Sequence, residues 1–193
     1  MAKLSNILTD RSSPSLRLII PTSITATGGS GSISTTGTVS FTSASAISLN
    51  DVFSTTYDNY KLVIKLVSSL ENRVDFRMRV SGADNSTSNY YKQQTLSKDG
   101  TTVQGSESLA QTSFIGYGTN TSITPILLEV YSPFIAEATA FLGWNHKVET
   151  LATVHESNFA SGIHNVASSF TGISLIPAGG TITGNVSVYG YKK

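Results

Sequence analysis

Residues 60–80, YKLVIKLVSSLENRVDFRMRV, decide the fold class of this chain. Apolar and polar residues alternate at both ends of the stretch, and the apolar positions are Tyr60, Leu62, Ile64 and Leu66, followed by Val74, Phe76, Met78 and Val80. A period of two is typical of β-strands that bury one face. The polar link between the two runs has the character of a turn, so we predict a β-hairpin.

Further strand candidates follow along the chain. Asp99-Gly100 is a strong turn signal between two short runs and predicts a second hairpin. Residues 123–131, 139–148, 150–157, 168–176 and 181–193 also have strand character, and hardly any stretch sustains a helical period. Many short strands separated by turns favour an all-β, antiparallel β-sandwich of jelly-roll-like type.

The first 45 residues have a different texture. Residues 28–45, GGSGSISTTGTVSFTSAS, consist almost entirely of Gly, Ser and Thr. Such a composition is usual for a flexible linker, and a frayed terminus is the default for any first ten residues. The alternative is an extended N-terminal arm, residues 1–45, which attaches the sandwich of residues 46–193 to a partner. Its apolar contacts would be Leu4, Ile7 and Leu8 at helical spacing, then Ile33, Val39 and Phe41 at strand parity.

Charge excludes some classes of function. The chain has 13 basic and 12 acidic residues, so no net field attracts nucleic acid or an anionic membrane. Charged residues make up 13% of the chain, against about 25% in ordinary domains. The free energy needed to remove water from such a surface when another subunit covers it is therefore small. There is no cysteine for thiol chemistry, no apolar run of membrane-spanning length, and no expected secretory signal.

Three histidines, His146, His155 and His164, are spaced nine residues apart. Neighbouring strands could bring the first two together, but nothing in the spacing enforces convergence, so we expect no metal and no cofactor. His155 and Glu156 fall on opposite faces of a strand and cannot act as one acid–base pair. With no other catalytic constellation in view, we expect the protein not to be an enzyme.

Aromatic residues are the candidates for contact with a partner. Tyr90 and Tyr91 end a polar loop, and Tyr189 and Tyr191 share a parity in the last strand candidate. Tyrosine is favoured at protein interfaces because it supplies rigid area and a hydroxyl. Aromatic faces also stack on the apolar faces of sugars, which extends the hypothesis to Trp144. A protein interface and a glycan contact both stay open.

Three phrases carry a resemblance: ISLNDVFSTTYDNYKLVIK from residue 47, RVSGADNSTSNYY from residue 79 and GNVSVYGYKK from residue 184. Together they resemble the β-rich accessory structural proteins of tailed bacteriophages, in particular the head-decoration, fibre and tail-associated proteins of cyanophages. The resemblance implies a self-associating sandwich carried on the virion by a variable N-terminal segment.

On this resemblance we expect a virion structural protein, assembled in the host cytoplasm and bound to other capsid or tail subunits. Capsid decoration or cementing is the first expectation. A short tail fibre or receptor-binding module that contacts a host surface glycan is the alternative. A homo-oligomer is expected, with a trimer favoured because trimers are common among the proteins it resembles.

Overall fold

The computed structural model of the chain describes residues 15–148 and 155–192. These residues form strands and loops, and none of them forms a helix that could cross a membrane. The strands are β1 (Leu16–Ile19), β2 (Ser23–Thr27), β3 (Ser30–Ile33), β4 (Val39–Ala44), β5 (Ala46–Asn50), β6 (Asn59–Ser68), β7 (Asn72–Val80), β8 (Ala83–Asp84), β9 (Tyr90–Lys98), β10 (Thr102–Gln111), β11 (Phe114–Thr119), β12 (Thr124–Tyr131), β13 (Thr139–Val148), β14 (His155–His164), β15 (Gly172–Pro177) and β16 (Ile182–Tyr191).

The strands form two antiparallel sheets packed face to face. The broad sheet has ten strands in the order β10-β9-β14-β13-β12-β6-β16-β4-β3, with β1 also paired to β16. The narrow sheet has six, in the order β11-β7-β15-β5-β2, with β8 paired to β7. The predicted all-β antiparallel sandwich is confirmed.

The core lies between the sheets and is built by the alternation seen in the sequence. The inward side chains of β6, from Tyr60 to Leu66, are buried, and so are Val74, Phe76 and Met78 of β7. Each buried side chain of this size contributes roughly 1.5–3 kcal/mol when it leaves water. Val80 lies at the end of β7 and is exposed, which differs from its predicted inward position.

The predicted hairpin between β6 and β7 is wrong. β6 lies between β12 and β16 in the broad sheet, whereas β7 lies between β11 and β15 in the narrow sheet. The short link of residues 69–71 therefore crosses from one sheet to the other. Alternation fixes which side chains face the core, but it is satisfied equally by a neighbour in the same sheet and by a strand in the opposite sheet.

The second predicted hairpin is confirmed. β9 and β10 pair in register on either side of Asp99-Gly100, with Lys98 opposite Thr102. Both turn residues have positive φ, 56° for Asp99 and 66° for Gly100. This is the backbone shape that favours Asp-Gly in tight hairpin turns.

The predicted N-terminal arm is corrected by the pairing of β1 to β4. β1 pairs with β16, β2 pairs with β5, and β4 joins the hairpin strand β3 to β16. Val39 and Phe41 are 1% and 2% exposed in the core of their own chain, and Ile33 packs against that core. Val39 and Phe41 therefore cannot serve as partner contacts. Ile33 packs against the sandwich but is only partly buried, so its role as a partner contact stays a prediction.

The predicted boundary between residues 45 and 46 has no counterpart in the fold. Only Ser45 separates β4 from β5, and its backbone N–H donates to the carbonyl of Thr27 at 2.8 Å. Ser and Thr adopt β geometry readily, so a low-complexity stretch with a few apolar residues at one parity can complete a sheet. The other predicted arm contacts, Leu4, Ile7 and Leu8, lie outside the described residues.

Candidate functional site

Apolar side chains form a line on the outer face of the broad sheet. Phe159 of β14 lies opposite Trp144 of β13, Trp144 lies opposite Leu127 of β12, and Leu127 lies opposite Val63 of β6. We call these four residues the apolar strip. Phe159 and Trp144 are 50% and 49% exposed. Directly opposite residues in a sheet have neighbouring Cβ atoms, so the four side chains lie side by side on the outer face.

The strands that carry the aromatic rings have the reverse of the usual polarity. On the inner face of β13 and β14, next to Trp144 and Phe159, lie polar and charged residues that are buried: Asn145, Lys147, Glu156 and Asn158. Burying a charge or an amide costs free energy, and exposing an aromatic ring forgoes some. Both costs fall on the same two strands. Exceptions to the pattern of apolar residues inside and polar residues outside are concentrated at functional sites.

Three of the inner polar residues, Asn145, Lys147 and Glu156, have specific partners. The Lys147 ammonium lies 3.0 Å from Glu71 Oε1 and 3.4 Å from Glu156 Oε2. The Asn145 amide reaches across the sandwich and donates to the carbonyl of Gly118 in β11 at 2.7 Å. These contacts fix β13 and β14 against the narrow sheet, which gives the outward rings a rigid base.

A shallow groove runs along one side of the aromatic pair. Trp144 and Phe159 form its apolar wall, and Thr95, Ser97 and Ser157 contribute hydroxyl groups to its lining. His146 lies at the same place, with Nδ1 3.3 Å from the Ser157 hydroxyl oxygen. The groove therefore combines an aromatic wall with several groups that can donate and accept hydrogen bonds.

A carboxylate lies on the other side of the pair. Glu129 shares a second groove with Leu127, Leu142 and the two aromatic rings. Its carboxylate accepts hydrogen bonds from the hydroxyls of Tyr131 and Tyr191, the latter at 2.5 Å. The Lys61 ammonium lies 4.0 Å away. These contacts hold the Glu129 carboxylate in one orientation.

The protonation states of this group follow from its contacts. Burial acts to raise the pKa of Glu129, but the two tyrosine hydrogen bonds and the Lys61 charge outweigh it, so the pKa lies below its ordinary value. The hydrogen bond to Glu129 raises the pKa of Tyr131 to about 12. Burial, together with the same carboxylate, raises the pKa of Tyr191. At neutral pH Glu129 is therefore an anionic acceptor held by two neutral phenols.

One of the predicted contact tyrosines is in the core. Tyr90 is 1% exposed, accepts a hydrogen bond from the Met78 backbone and donates one to the carbonyl of Asn85. Burial raises its pKa to about 12. The prediction that Tyr90 contacts a partner is wrong, because the parity of β9 directs its ring inward and its hydroxyl is satisfied within the chain.

The other three predicted tyrosines lie on the outer face of the broad sheet. Tyr91 is opposite Ile163, and Tyr189 is opposite Lys61. Tyr191 contacts Glu129 as described above. All three are partly exposed. Their role as interface or glycan contacts stays a prediction.

The structure brings two of the three histidines together. His155 Nδ1 lies 3.3 Å from His146 Nε2, and the two rings stack with centroids 5.4 Å apart. His164 is buried elsewhere, with its ring edge against Tyr90 and Phe170. Among the described residues no group of three or more His, Cys, Asp or Glu side chains converges as a metal site.

Sequence reasoning missed Phe159, Leu127 and Glu129, and it weighed Trp144 only as one sugar contact among several. The alternation of residues within β13 and β14 does not identify the two aromatic rings as exposed. Trp144 alternates with Gly143 and Asn145, and Phe159 alternates with Asn158 and Ala160. An apolar-inward rule assigns both rings to the core, and only the register between the two strands shows that they face solvent together.

No protein-family model matches the chain, and no curated protein matches it. Among solved structures it is similar to the Caenorhabditis elegans galectin LEC-6, at 12% identity and a TM-score of 0.36, over 82% of this chain and 99% of the galectin. It is also similar to the binding domain of botulinum neurotoxin serotype G, at 8% identity and a TM-score of 0.25, over 94% of this chain. The chain spans 45% of the length of that toxin domain. Similarity at this level carries no argument about function.

Proposed function

We propose that the chain is a non-enzymatic binding module of a tailed-phage virion and that it contacts a host surface glycan with the outer face of its broad sheet. The observation that carries the glycan part is the outward pair Trp144 and Phe159 on strands whose inner face is polar. The virion part rests on the sequence resemblance alone.

The chemistry of the face suits a carbohydrate. A sugar ring presents apolar C–H groups on its faces and hydroxyls around its edge. Exposed aromatic rings can cover the C–H faces of the sugar. Its hydroxyls can form hydrogen bonds with the hydroxyls of Thr95, Ser97 and Ser157 on one side and with the Glu129 carboxylate on the other. Sites of this kind place a few polar groups around an apolar surface.

Receptor binding is preferred to capsid cementing because of what the N-terminal residues do. The cement hypothesis relied on residues 1–45 as an attachment strap. β1 to β4 pair with later strands, and Val39 and Phe41 complete the core, so these strands are part of the sandwich and not a separate strap. Among residues 15–148 and 155–192, no segment covers the outward side of the apolar strip.

The test is binding of the purified protein to an array of bacterial envelope oligosaccharides and to whole host cells. We expect W144A and F159A each to weaken binding about tenfold or more, which corresponds to about 1.4 kcal/mol. V80A is the matched control, because Val80 is an exposed apolar residue of the narrow sheet. Its affinity should equal that of the unmodified protein.

Four results would contradict the proposal. The unmodified protein binds no oligosaccharide or cell, or W144A binds as well as V80A. In the third, the apolar strip mediates self-association, and W144A turns an oligomer into a monomer without any glycan being bound. Release of reducing sugar from a bound oligosaccharide would show that the module is an enzyme.

A further inference from the structure

The geometry points to a metal site: we propose that His146 and His155 together bind a divalent transition metal ion of the zinc, nickel or copper type. The inference does not depend on the proposed glycan contact. It rests on the distance between two ring nitrogens of neighbouring strands and on the group that orients one of the rings.

The register explains why the two rings meet. His146 of β13 lies opposite Ser157 of β14, and His155 lies two residues before Ser157. His146 and His155 are therefore diagonal neighbours on the same outer face of the sheet, a spacing that long side chains can bridge. The nine-residue spacing in the sequence follows from the hairpin-like pairing of β13 with β14 and not from a repeat.

The distance between the nitrogens matches a shared metal ion. His146 Nε2 and His155 Nδ1 are 3.3 Å apart. A tetrahedral zinc ion with Zn–N bonds of about 2.0–2.1 Å places two ligand nitrogens about 3.3–3.4 Å from each other. Imidazole is a ligand that suits zinc, copper and nickel. Both rings are on the outer face, where His155 is exposed and His146 is partly exposed, so each can turn to point its lone pair at one ion.

A neighbouring hydroxyl prepares one of the rings. His146 Nδ1 lies 3.3 Å from the Ser157 hydroxyl oxygen. When this nitrogen carries the proton and donates to Ser157, the lone pair of Nε2 is directed at His155. A second hydrogen bond of this kind is the usual support for a metal-binding histidine. His155 needs its proton on Nε2 so that Nδ1 is free, which requires a change of tautomer and no release of a proton from the neutral pair.

Two imidazoles leave positions on the ion for water. The pair is on the exposed side of the sheet, where His155 is exposed and His146 is partly exposed. Metal sites with open positions accept oxygen ligands from solvent or from a bound molecule. His146 also lines the groove beside Trp144, so an ion held here is next to the aromatic pair.

The experiment uses the full chain, freed of metal, and titrates it with Zn²⁺ by calorimetry and with Cu²⁺ by electron paramagnetic resonance. We expect one high-affinity ion per chain, with nitrogen couplings from two imidazoles in the Cu²⁺ spectrum. H146A and H155A should each weaken Zn²⁺ binding at least tenfold, and each Cu²⁺ spectrum should show one imidazole fewer.

W144A is the matched control because Trp144 is on the same face of β13 but has no metal-ligating atom. It should bind Zn²⁺ with the affinity of the unmodified protein. H155A should keep the glycan affinity of the unmodified protein, so a failure of the metal proposal can be distinguished from a failure of the glycan proposal. The metal proposal is overturned if the double variant H146A/H155A binds Zn²⁺ as tightly as the unmodified chain, or if the unmodified chain binds neither ion. Circular dichroism of each variant checks that it is folded.

Discussion

Trp144 and Phe159 lie directly opposite each other on β13 and β14 with about half of each ring exposed, and the next pair on the inner face, Asn145 and Asn158, is buried. The two strands therefore carry their apolar residues outward and their polar residues inward at this point. Burying amide groups and exposing aromatic rings both cost a fold free energy. The arrangement is explained if the outer face binds something.

The first prediction separates binding from stability. W144A should lower the free energy of unfolding by about 1 kcal/mol, because Trp144 is half exposed and loses only its cross-strand neighbours on the outer face. F141A, on the same strand, should cost about 3–5 kcal/mol, because Phe141 is buried and stacks on Phe114 at 4.8 Å. Urea unfolding of both variants measures the difference. Equal losses would mean that Trp144 is structural.

The second prediction concerns the N-terminal residues. A chain that begins at residue 15 should fold, because β1 and all later strands are retained. A chain that begins at residue 46 should be insoluble or unfolded, because it lacks Val39, Phe41 and the strands that cover β5 and β16. Circular dichroism and thermal unfolding distinguish the two. A stable, cooperatively folding fragment 46–193 would restore the arm hypothesis.

The third prediction concerns pH. Burial lowers the pKa of Lys92 from 10.5 to about 8 in the folded chain. Between these values the unfolded chain binds more protons, so the free energy of unfolding rises with pH from about 8 upward. The rise is at most about 1.4 kcal/mol per pH unit. Below pH 8 the ammonium is charged in both states, and its desolvation cost is fully present.

Urea unfolding at pH 7.5, 8.5 and 9.5 measures this rise. K92M should remove it, because methionine has a similar length and no charge. K65M is the control, since Lys65 is exposed on β6 and its loss should leave the rise unchanged. A rise that persists in K92M would assign the effect to another group.

The fourth prediction concerns the ion pair under the aromatic rings. K147M leaves the buried Glu156 without the ammonium 3.4 Å away and should cost roughly 3–5 kcal/mol. The double variant K147M/E156L removes both charges and should recover most of that loss. Urea unfolding gives both values. If the double variant is as unstable as K147M, the loss does not come from the unpaired Glu156 carboxylate, and the prediction is contradicted.

The sequence predicted the faces of strands better than their neighbours. The inward positions of β6 followed from a period of two, which any half-buried strand must satisfy. Its neighbours β12 and β16 are distant in sequence, and their pairing depends on the whole sandwich. Distant pairing also explains why the sequence predicts an arm over residues 1–45, which include the Gly/Ser/Thr stretch 28–45. A Gly/Ser/Thr stretch contains too few apolar residues to show which core they complete.

The candidate site could not be predicted from the sequence for a related reason. Trp144 and Phe159 each look like core residues when only their own strand is considered. Their exposure follows from buried Lys147 and Glu156, which take the inner positions because they can pair across the strands. The meeting of His146 and His155 is also a matter of register, which the spacing of histidines allows but does not impose.

Glycan contact with Trp144 can be measured by fluorescence, because Trp144 is the only tryptophan in the chain. Acrylamide quenching should be measured with and without an envelope oligosaccharide that the protein binds. We expect the bound sugar to shield the Trp144 ring, with a clear fall in the quenching constant and a shift in the emission maximum. If binding is saturated and both quantities are unchanged, the ligand lies elsewhere, which would contradict glycan binding at Trp144.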